Sequence, residues 1–421
     1  MDFSKENVQF SELTIQITKA LSKEEKKNYG IFITPNNIIS CLYNSLKTYI
    51  SSECLHDKTA NIKHILEPAC GTCEIINYCD TIMNNVIIDG VELNKNIYNS
   101  IQSLTFNNKV NIYNIDFVTY NPSKKYDLII GNPPYFVCKK NIVPKQYNDY
   151  IHGRPNIFGI FIIHSLFLLR PGGFLAFVIP NSFLNSIYYS KIRNYIKETC
   201  TIIKIEDYTL FNDFIDTQQS TIGLILRKNN TNYICQALDC DYSMLLNENY
   251  IFTDNSKQLK ELFENSTTLD KMGLRVRTGQ IVWNEVKNEL TNHETNTLLI
   301  YNTNITKTNT LEIKTFKNNE KGQYITRDGR TEPVLVVNRG NGNSAYKLNY
   351  ALIKEGPFLV ENHLNEIYSP NKISEVKLLN LYNQIMNSFN NPKTKKFIEL
   401  FLGNNSLSKT ELETIFPIYD I

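Results

Sequence analysis

Ile65-Leu66-Glu67-Pro68-Ala69-Cys70-Gly71-Thr72-Cys73 reads as an apolar strand that ends in an acidic residue and turns through small residues toward a helix. At the carboxyl edge of a parallel sheet, such a turn is where a nucleotide-like ligand binds. A carboxylate in that place suits a ribose hydroxyl or an ammonium group, not a phosphate. The glycine fingerprint of dinucleotide sites is absent, as is a phosphate loop ending in Gly-Lys-Ser/Thr. That argues against a dinucleotide or a nucleoside triphosphate. Cys70 and Cys73 have the spacing of a redox or zinc pair, but no second pair stands at a suitable distance, so no metal is expected.

The pattern recurs downstream. Val86-Ile87-Ile88-Asp89-Gly90-Val91-Glu92-Leu93 and Ile112-Tyr113-Asn114-Ile115-Asp116-Phe117 are again strands followed by an acid. An acid after the second strand commonly holds ribose hydroxyls, although a solvated glutamate after a strand is about as common. Adjacent parallel strands would set all three acids along one crevice. Short apolar runs at 63–67, 86–91, 110–115, 126–130, 174–179, 202–207 and 220–226 alternate with helical patterns at 94–104, 156–169 and 187–199. This predicts an α/β, Rossmann-like sheet, mostly parallel and covered on both faces. The runs at 202–208 and 221–227 are too close for a helical crossover, so the last strand is expected to be antiparallel. Helices are expected at 10–21 and 36–49, the second entered through Thr34-Pro35.

The most specific stretch is Tyr126-Asp127-Leu128-Ile129-Ile130-Gly131-Asn132-Pro133-Pro134-Tyr135-Phe136. Asn-Pro-Pro-Tyr begins right at the end of a buried strand. The two prolines stiffen the backbone, remove donors and leave carbonyls as acceptors. The asparagine side chain adds another acceptor, and the tyrosine an aromatic face. Two fixed acceptors beside a ring suit an exocyclic amino group on a planar base.

The chain has 421 residues, which fits two or three domains. The regular alternation stops near 229–236, and we divide the sequence there into 1–235 and 236–421. In the second part, strands are expected at 297–301, 333–338 and 357–361, and helices at 256–264, 374–388 and 393–402. Residues 271–350 hold 12 Lys+Arg against 7 Asp+Glu, within a chain of net charge +2. This is a candidate phosphate footprint. No apolar run is long enough to span a membrane. The polar N-terminus and the scattered, odd-numbered cysteines (nine) suit an intracellular (cytoplasmic) chain with reduced thiols.

Together, these motifs resemble the gamma-class (TaqI-like) DNA adenine-N6 methyltransferases, which use S-adenosylmethionine. The matching pieces are Tyr29-Gly30-Ile31-Phe32-Ile33-Thr34-Pro35, Leu66–Gly71, Glu92-Leu93, Asp116-Phe117 and Asn132–Tyr135. They stand in the gamma-class order, with a C-terminal recognition region after them. The resemblance implies a class I methyltransferase sheet and a C-terminal mixed α+β DNA-recognition domain. It places Thr34, Glu67, Ala69 and Gly71 near the methionine end of the cofactor, Glu92 on its ribose and Leu93 on its adenine. Asp116, the Phe117 backbone, Pro134 and Phe161 would hold that adenine, though Phe161 reads equally as a core residue of its helix.

By the same resemblance, Asn132 and the Pro133 carbonyl would hold the target amino group, and Tyr135 would stack on a flipped-out base. The ring face of Tyr135 is expected to matter more than its hydroxyl. Phe211, or second to it Phe214, would close the other side. Arg275, Arg277, Arg327, Arg330, Arg339 and Lys347 are candidates for contacting double-stranded DNA, with Asn338, Asn341 and Asn343 nearby. Trp283 reads as a packing anchor. A monomer on DNA is expected, and a separate cognate restriction endonuclease fits this class. The same chemistry on RNA, on cytosine N4 or on a protein glutamine is the rival reading. The long C-terminal part argues against glutamine, and Asn132 against cytosine N4.

Overall fold

The computed structural model describes residues 10–22, 24–25, 30, 33–53, 62–139, 143–208, 220–229, 242–314, 316, 321–340, 346–402 and 406–419. They fall into two compact units, 1–254 and 255–421.

The first unit is built on a seven-stranded sheet in the order β3-β2-β1-β4-β5-β7-β6. The strands are β1 (His64–Glu67), β2 (Ile87–Val91), β3 (Lys109–Tyr113), β4 (Tyr126–Gly131), β5 (Leu169–Pro180), β6 (Cys200–Asp207) and β7 (Thr221–Lys228). β1 to β5 pair in parallel, whereas β7 runs antiparallel to both β5 and β6. The expected fold class, including the antiparallel last strand, is borne out. β4 is buried along its whole length, as its unbroken apolar run requires for a central parallel strand. Helix Ile157–Leu168 is apolar on every side and almost wholly buried.

Several buried polar groups inside this unit are matched. Asp127 on β4 accepts from the Lys63 and His64 N–H groups, each at 2.7 Å, and so ties down the start of β1. Asp89, fully buried on β2, accepts from the Tyr126 hydroxyl at 2.6 Å and pairs with Lys124 at 2.6 Å. His164 bonds the Tyr147 hydroxyl at 2.7 Å and the Tyr120 carbonyl at 2.8 Å, and burial lowers its pKa, as for a satisfied core histidine.

The unit continues to Asp254, past the expected division at 235. A hairpin, Ser243–Leu246 with Asn249–Phe252, packs on helix Ser190–Thr199. Fully buried Arg193 donates to the Tyr250 carbonyl at 2.5 Å and to the Phe183 carbonyl at 2.8 Å. Phe252 joins the core beside Phe183. The change of sequence texture at 229 therefore marks the end of the sheet and not the end of its core.

The second unit is mixed α+β. One four-stranded antiparallel sheet runs Arg275–Thr278, Leu364–Tyr368, Val334–Asn338, Tyr350–Ile353. A second four-stranded sheet includes Thr297–Ile300 paired in parallel with Phe358–Val360. Helices Ser256–Phe263, Glu375–Phe389 and Pro392–Phe397 complete it. Among the described residues, no helix is long and apolar enough to cross a membrane.

Candidate cofactor and transfer site

Because β1 to β4 are parallel, the residues at their carboxyl ends share one edge. Glu67 closes β1, Glu92 follows β2, Asp116 follows β3 and Asn132 follows β4. They surround a cavity of about 320 Å³. Its lining includes Thr34, Glu67, Ala69, Gly71, Glu92, Leu93, Asp116, Phe117, Asn132, Pro134 and Phe161. All ten residues expected at the cofactor are thus brought together, from six separate stretches of chain.

Glu92 is buried, and both its oxygens are engaged by backbone. Oε2 accepts from the Gly71 N–H at 2.9 Å and Oε1 from the Asn94 N–H at 2.6 Å. Burial raises its pKa, and these donors work against that rise. Each oxygen keeps a lone pair for a ligand hydroxyl. Glu67 is only 3% exposed, and its Oε2 has no hydrogen-bond partner among the described residues. Burial, with Cys73 nearby, pushes its carboxyl well above the ordinary range. Gly71 has a left-handed φ of 49° and open space where a Cβ would stand.

The rim is apolar. Leu93 (53% exposed) and Ile115 (39%) both line the cavity. Phe117 and Phe161 pack with ring centroids 4.7 Å apart, so Phe161 serves the core and the cavity wall at once. The Asp116 Oδ1 accepts from the Val118 N–H at 3.0 Å, which shapes the turn after β3. These groups fit a ligand with a planar ring, a diol and a cationic end.

The cavity draws on residues that the motifs did not single out. Glu74 opens helix Glu74–Ile82 and binds the N-terminal helix Glu12–Ala20. Its Oε1 accepts from the Ser11 hydroxyl at 2.7 Å and the Thr14 hydroxyl at 2.5 Å. Ile157 and Ile160 line the wall at helical spacing before Phe161. The apolar character of that helix was visible in sequence, but which of its many apolar residues meets the cavity was not.

Pro133 is buried, and Asn132, Pro134 and Tyr135 are half-buried. Gly30 has a φ of 60°, and a Cβ there would stand 2.9 Å from the Tyr135 nitrogen. Only glycine lets that loop lie so close to the Asn-Pro-Pro-Tyr backbone. The Tyr135 ring packs edge-on to Phe158, with centroids 6.0 Å apart. Phe211 and Phe214 lie outside the described residues.

In the second unit most of the basic candidates are matched by carboxylates. Arg275 pairs with Glu413 at 2.9 Å, and Arg327 grips Glu289 at 2.5 and 2.7 Å. Arg277 pairs with Glu366 at 2.7 Å and lies over the Tyr368 ring. Arg330 pairs with the same buried Glu366 and lies over Phe358. The Arg339 Nη1 donates to the Asn362 carbonyl at 2.9 Å, and Lys347 is exposed. Asn338 is corrected: it is fully buried, donates to the Lys347 carbonyl and accepts from the Asn349 N–H, which makes it a strand-end staple and not a base contact. Asn341 and Asn343 lie outside the described residues. Trp283 packs in the second unit's core beside Lys321, 5.1 Å from its ring.

Residues 72–214 match the Eco57I restriction-modification methylase family. The chain is 26% identical to the type II methyltransferase M.CvrRI of Paramecium bursaria Chlorella virus XZ-6E, over 97% of this chain and 99% of that one. It is 24% identical to the modification methylase CviBIII of Paramecium bursaria Chlorella virus NC1A, over 98% and 99%. Among solved structures, a putative class I S-adenosylmethionine-dependent methyltransferase from Listeria monocytogenes aligns at 19% identity and a TM-score of 0.40, covering 53% of this chain and 67% of that one. The resemblance read from the motifs is borne out as a likeness to type II restriction-modification methyltransferases, by the family match and the two viral relatives. With the strand order of the sheet, the methylase match also bears out S-adenosylmethionine as the cofactor.

Proposed function

We propose that this chain, which carries a restriction-modification methylase match over residues 72–214, is a site-specific DNA methyltransferase acting on the N6 amino group of adenine. One observation carries the reading: Asn132 lines the same cavity as Glu67, Glu92 and Asp116. A residue able to accept from an amino group therefore stands in the wall of the pocket proposed for the cofactor.

Glu92 would take the ribose hydroxyls, Leu93, Phe117, Pro134 and Phe161 the adenine, Asp116 its amino group, and Thr34, Glu67 and the Ala69–Gly71 turn the methionine end. When bound, S-adenosylmethionine supplies an electrophilic methyl on a sulfonium that departs as a neutral thioether. An adenine amino lone pair is delocalised into its ring and is a poor nucleophile. Asn132 Oδ1 and the Pro133 carbonyl would accept its two N–H bonds and draw the nitrogen toward a geometry that frees the lone pair. Holding that nitrogen in line with the methyl is catalysis by positioning. The amino group is out of reach in a duplex, so the base must be flipped out, at a cost of a few kcal/mol. Tyr135 would stack on it, with Phe211 or Phe214 opposite.

The unit 255–421 would read the target. Arg275, Arg277, Arg327 and Arg330, each already on a carboxylate, would offer their remaining N–H groups to DNA, as would Arg339 and Lys347. The enzyme would act as a monomer, with a cognate restriction endonuclease as its natural companion.

The test is transfer from labelled S-adenosylmethionine to duplex DNA, RNA and protein, followed by nucleoside analysis. N6-methyladenine at one short duplex sequence is expected. Label in N4-methylcytosine, RNA or protein alone would overturn the reading.

A further inference from the structure

Four acids line the cavity, Glu67, Glu74, Glu92 and Asp116, and among the described residues around it there is no lysine, arginine or histidine. A wall of carboxyls without a counter-charge favours a ligand that brings positive charge. Glu92 and Asp116 accept from the backbone of their own turns or of the next one. Glu74 is held differently. It is 7% exposed, and its three donors all come from the N-cap and first turn of the N-terminal helix. They are the Ser11 N–H at 3.0 Å, the Ser11 hydroxyl at 2.7 Å and the Thr14 hydroxyl at 2.5 Å, and all three reach the same oxygen, Oε1. An ionised carboxylate accepts with both oxygens, yet among the described residues none donates to Oε2. The Thr14 hydroxyl also lies 2.7 Å from that of Thr72, so the same helix fixes a second residue of the cavity wall.

We infer that Glu74 is a further cofactor-binding residue: the N-terminal helix holds its Oε1, and its Oε2 accepts from the α-ammonium of S-adenosylmethionine. Of the cofactor's two cationic groups, the sulfonium has no N–H and the ammonium has three. Only the ammonium can complete a carboxylate with charge-assisted hydrogen bonds. Glu67, whose Oε2 is also without a partner, and Glu74 can each take one of them. The two stand in one neighbourhood, since the Glu74 charge is among those that push the Glu67 carboxyl up. Glu74 also follows directly on the Ala69–Gly71 turn and Thr72 in the cavity wall. Because its donors come before the ligand does, the carboxylate is fixed in advance, which spares the ordering cost of binding. The inference deepens the proposed function and rests on its placement of the methionine end.

The test is calorimetric titration of the full chain with S-adenosylhomocysteine and with its desamino analogue, which lacks only the α-ammonium. Neither has a sulfonium, so the ammonium is read alone. The wild-type chain should prefer S-adenosylhomocysteine, and Glu74→Gln should shrink that preference about ten-fold, the weight of roughly one hydrogen bond to a charged group. The amide keeps an oxygen for Ser11 and Thr14 and replaces the other acceptor with an NH2 donor. Its melting temperature should therefore stay near that of the wild type. An unchanged preference in Glu74→Gln would overturn the inference. So would an equal loss of affinity for both ligands, which would make the carboxylate merely structural. Glu67→Gln, titrated alongside, separates the two readings. If it alone shrinks the preference, the inference fails and the placement of the methionine end stands. If neither variant shrinks it, that placement fails as well.

Discussion

Glu92 and Gly71 are joined by a hydrogen bond of 2.9 Å from the Gly71 N–H to the glutamate Oε2, across two neighbouring strand ends. The carboxylate after β2 thereby holds the turn after β1 in place. The residue proposed to bind the ribose also shapes the loop proposed to hold the methionine end.

Glu92→Ala should therefore weaken cofactor binding more than one lost ligand contact would. It removes the ligand contact and leaves the Gly71 and Asn94 N–H groups without their acceptor. A loss of about 1–3 kcal/mol is expected from the buried donors alone. Glu92→Gln should also cost affinity, because an amide cannot accept with both ends. Equilibrium dialysis with S-adenosylmethionine measures both, and an unchanged affinity in Glu92→Ala would refute the assignment.

Glu67 makes a prediction about protons. Its folded-state pKa is raised by burial above the ordinary carboxylate value of 4.5. The folded chain thus holds a proton that the unfolded chain loses more readily. Its contribution to stability is fully present below the unfolded value and is lost as pH rises through the folded one. A cationic ligand beside it favours the ionised form. Cofactor binding should therefore release protons, and affinity should rise with pH across the same window. Calorimetry in buffers of different ionisation enthalpy reads the release directly, and Glu67→Gln should reduce it. Equal proton release in that variant would place the titration elsewhere.

Asn132→Ala should separate chemistry from binding. Turnover should drop steeply while cofactor affinity stays near wild type. Asp116→Ala should do the reverse, since Asp116 also caps the turn to Val118; about 1–3 kcal/mol of cofactor affinity is expected to go. Parallel losses of cofactor binding in both variants would contradict the division of roles.

Glu366 carries two arginines, Arg277 and Arg330. Glu366→Ala should leave two partly buried guanidinium groups facing each other. Breaking a buried pair by removing one partner costs about 3–5 kcal/mol. The side chains of Arg277 (38%) and Arg330 (22%) keep some exposure, which moves the expectation to the lower end. A melting temperature unchanged in Glu366→Ala would show that the cluster bears no load.

The division at Asp254 is testable by truncation. A chain ending at 254 keeps the hairpin that covers Arg193 and supplies Phe252 to the core. One ending at 235 loses both. The longer fragment should melt cooperatively and bind cofactor, and the shorter should do so poorly. Equal behaviour would return the boundary to 235.

The fold and the candidate cavity were legible because parallel strands impose period and order on the chain. A strand buried on both faces must be apolar throughout, as β4 is. A ligand edge must carry its polar residues where strands stop, and Glu67, Glu92, Asp116 and Asn132 stand there. Local sequence thus determined the strands and the antiparallel last pairing, and the resemblance carried by its motifs picked out ten residues that line the cavity. What it did not determine depends on partners far away in the chain. Asn338 looked like a base reader beside Arg339, and the sheet buries it as a staple to Asn349. Arg277 and Arg330 read as candidates for contacting DNA, yet the one carboxylate of Glu366 engages both. Tyr135 looked like a ring alone, until β5 brought the Val178 carbonyl to its hydroxyl. A residue type announces which bonds it can make. Only the folded chain decides which partner arrives within 3 Å, because that depends on strand order and not on neighbours in sequence.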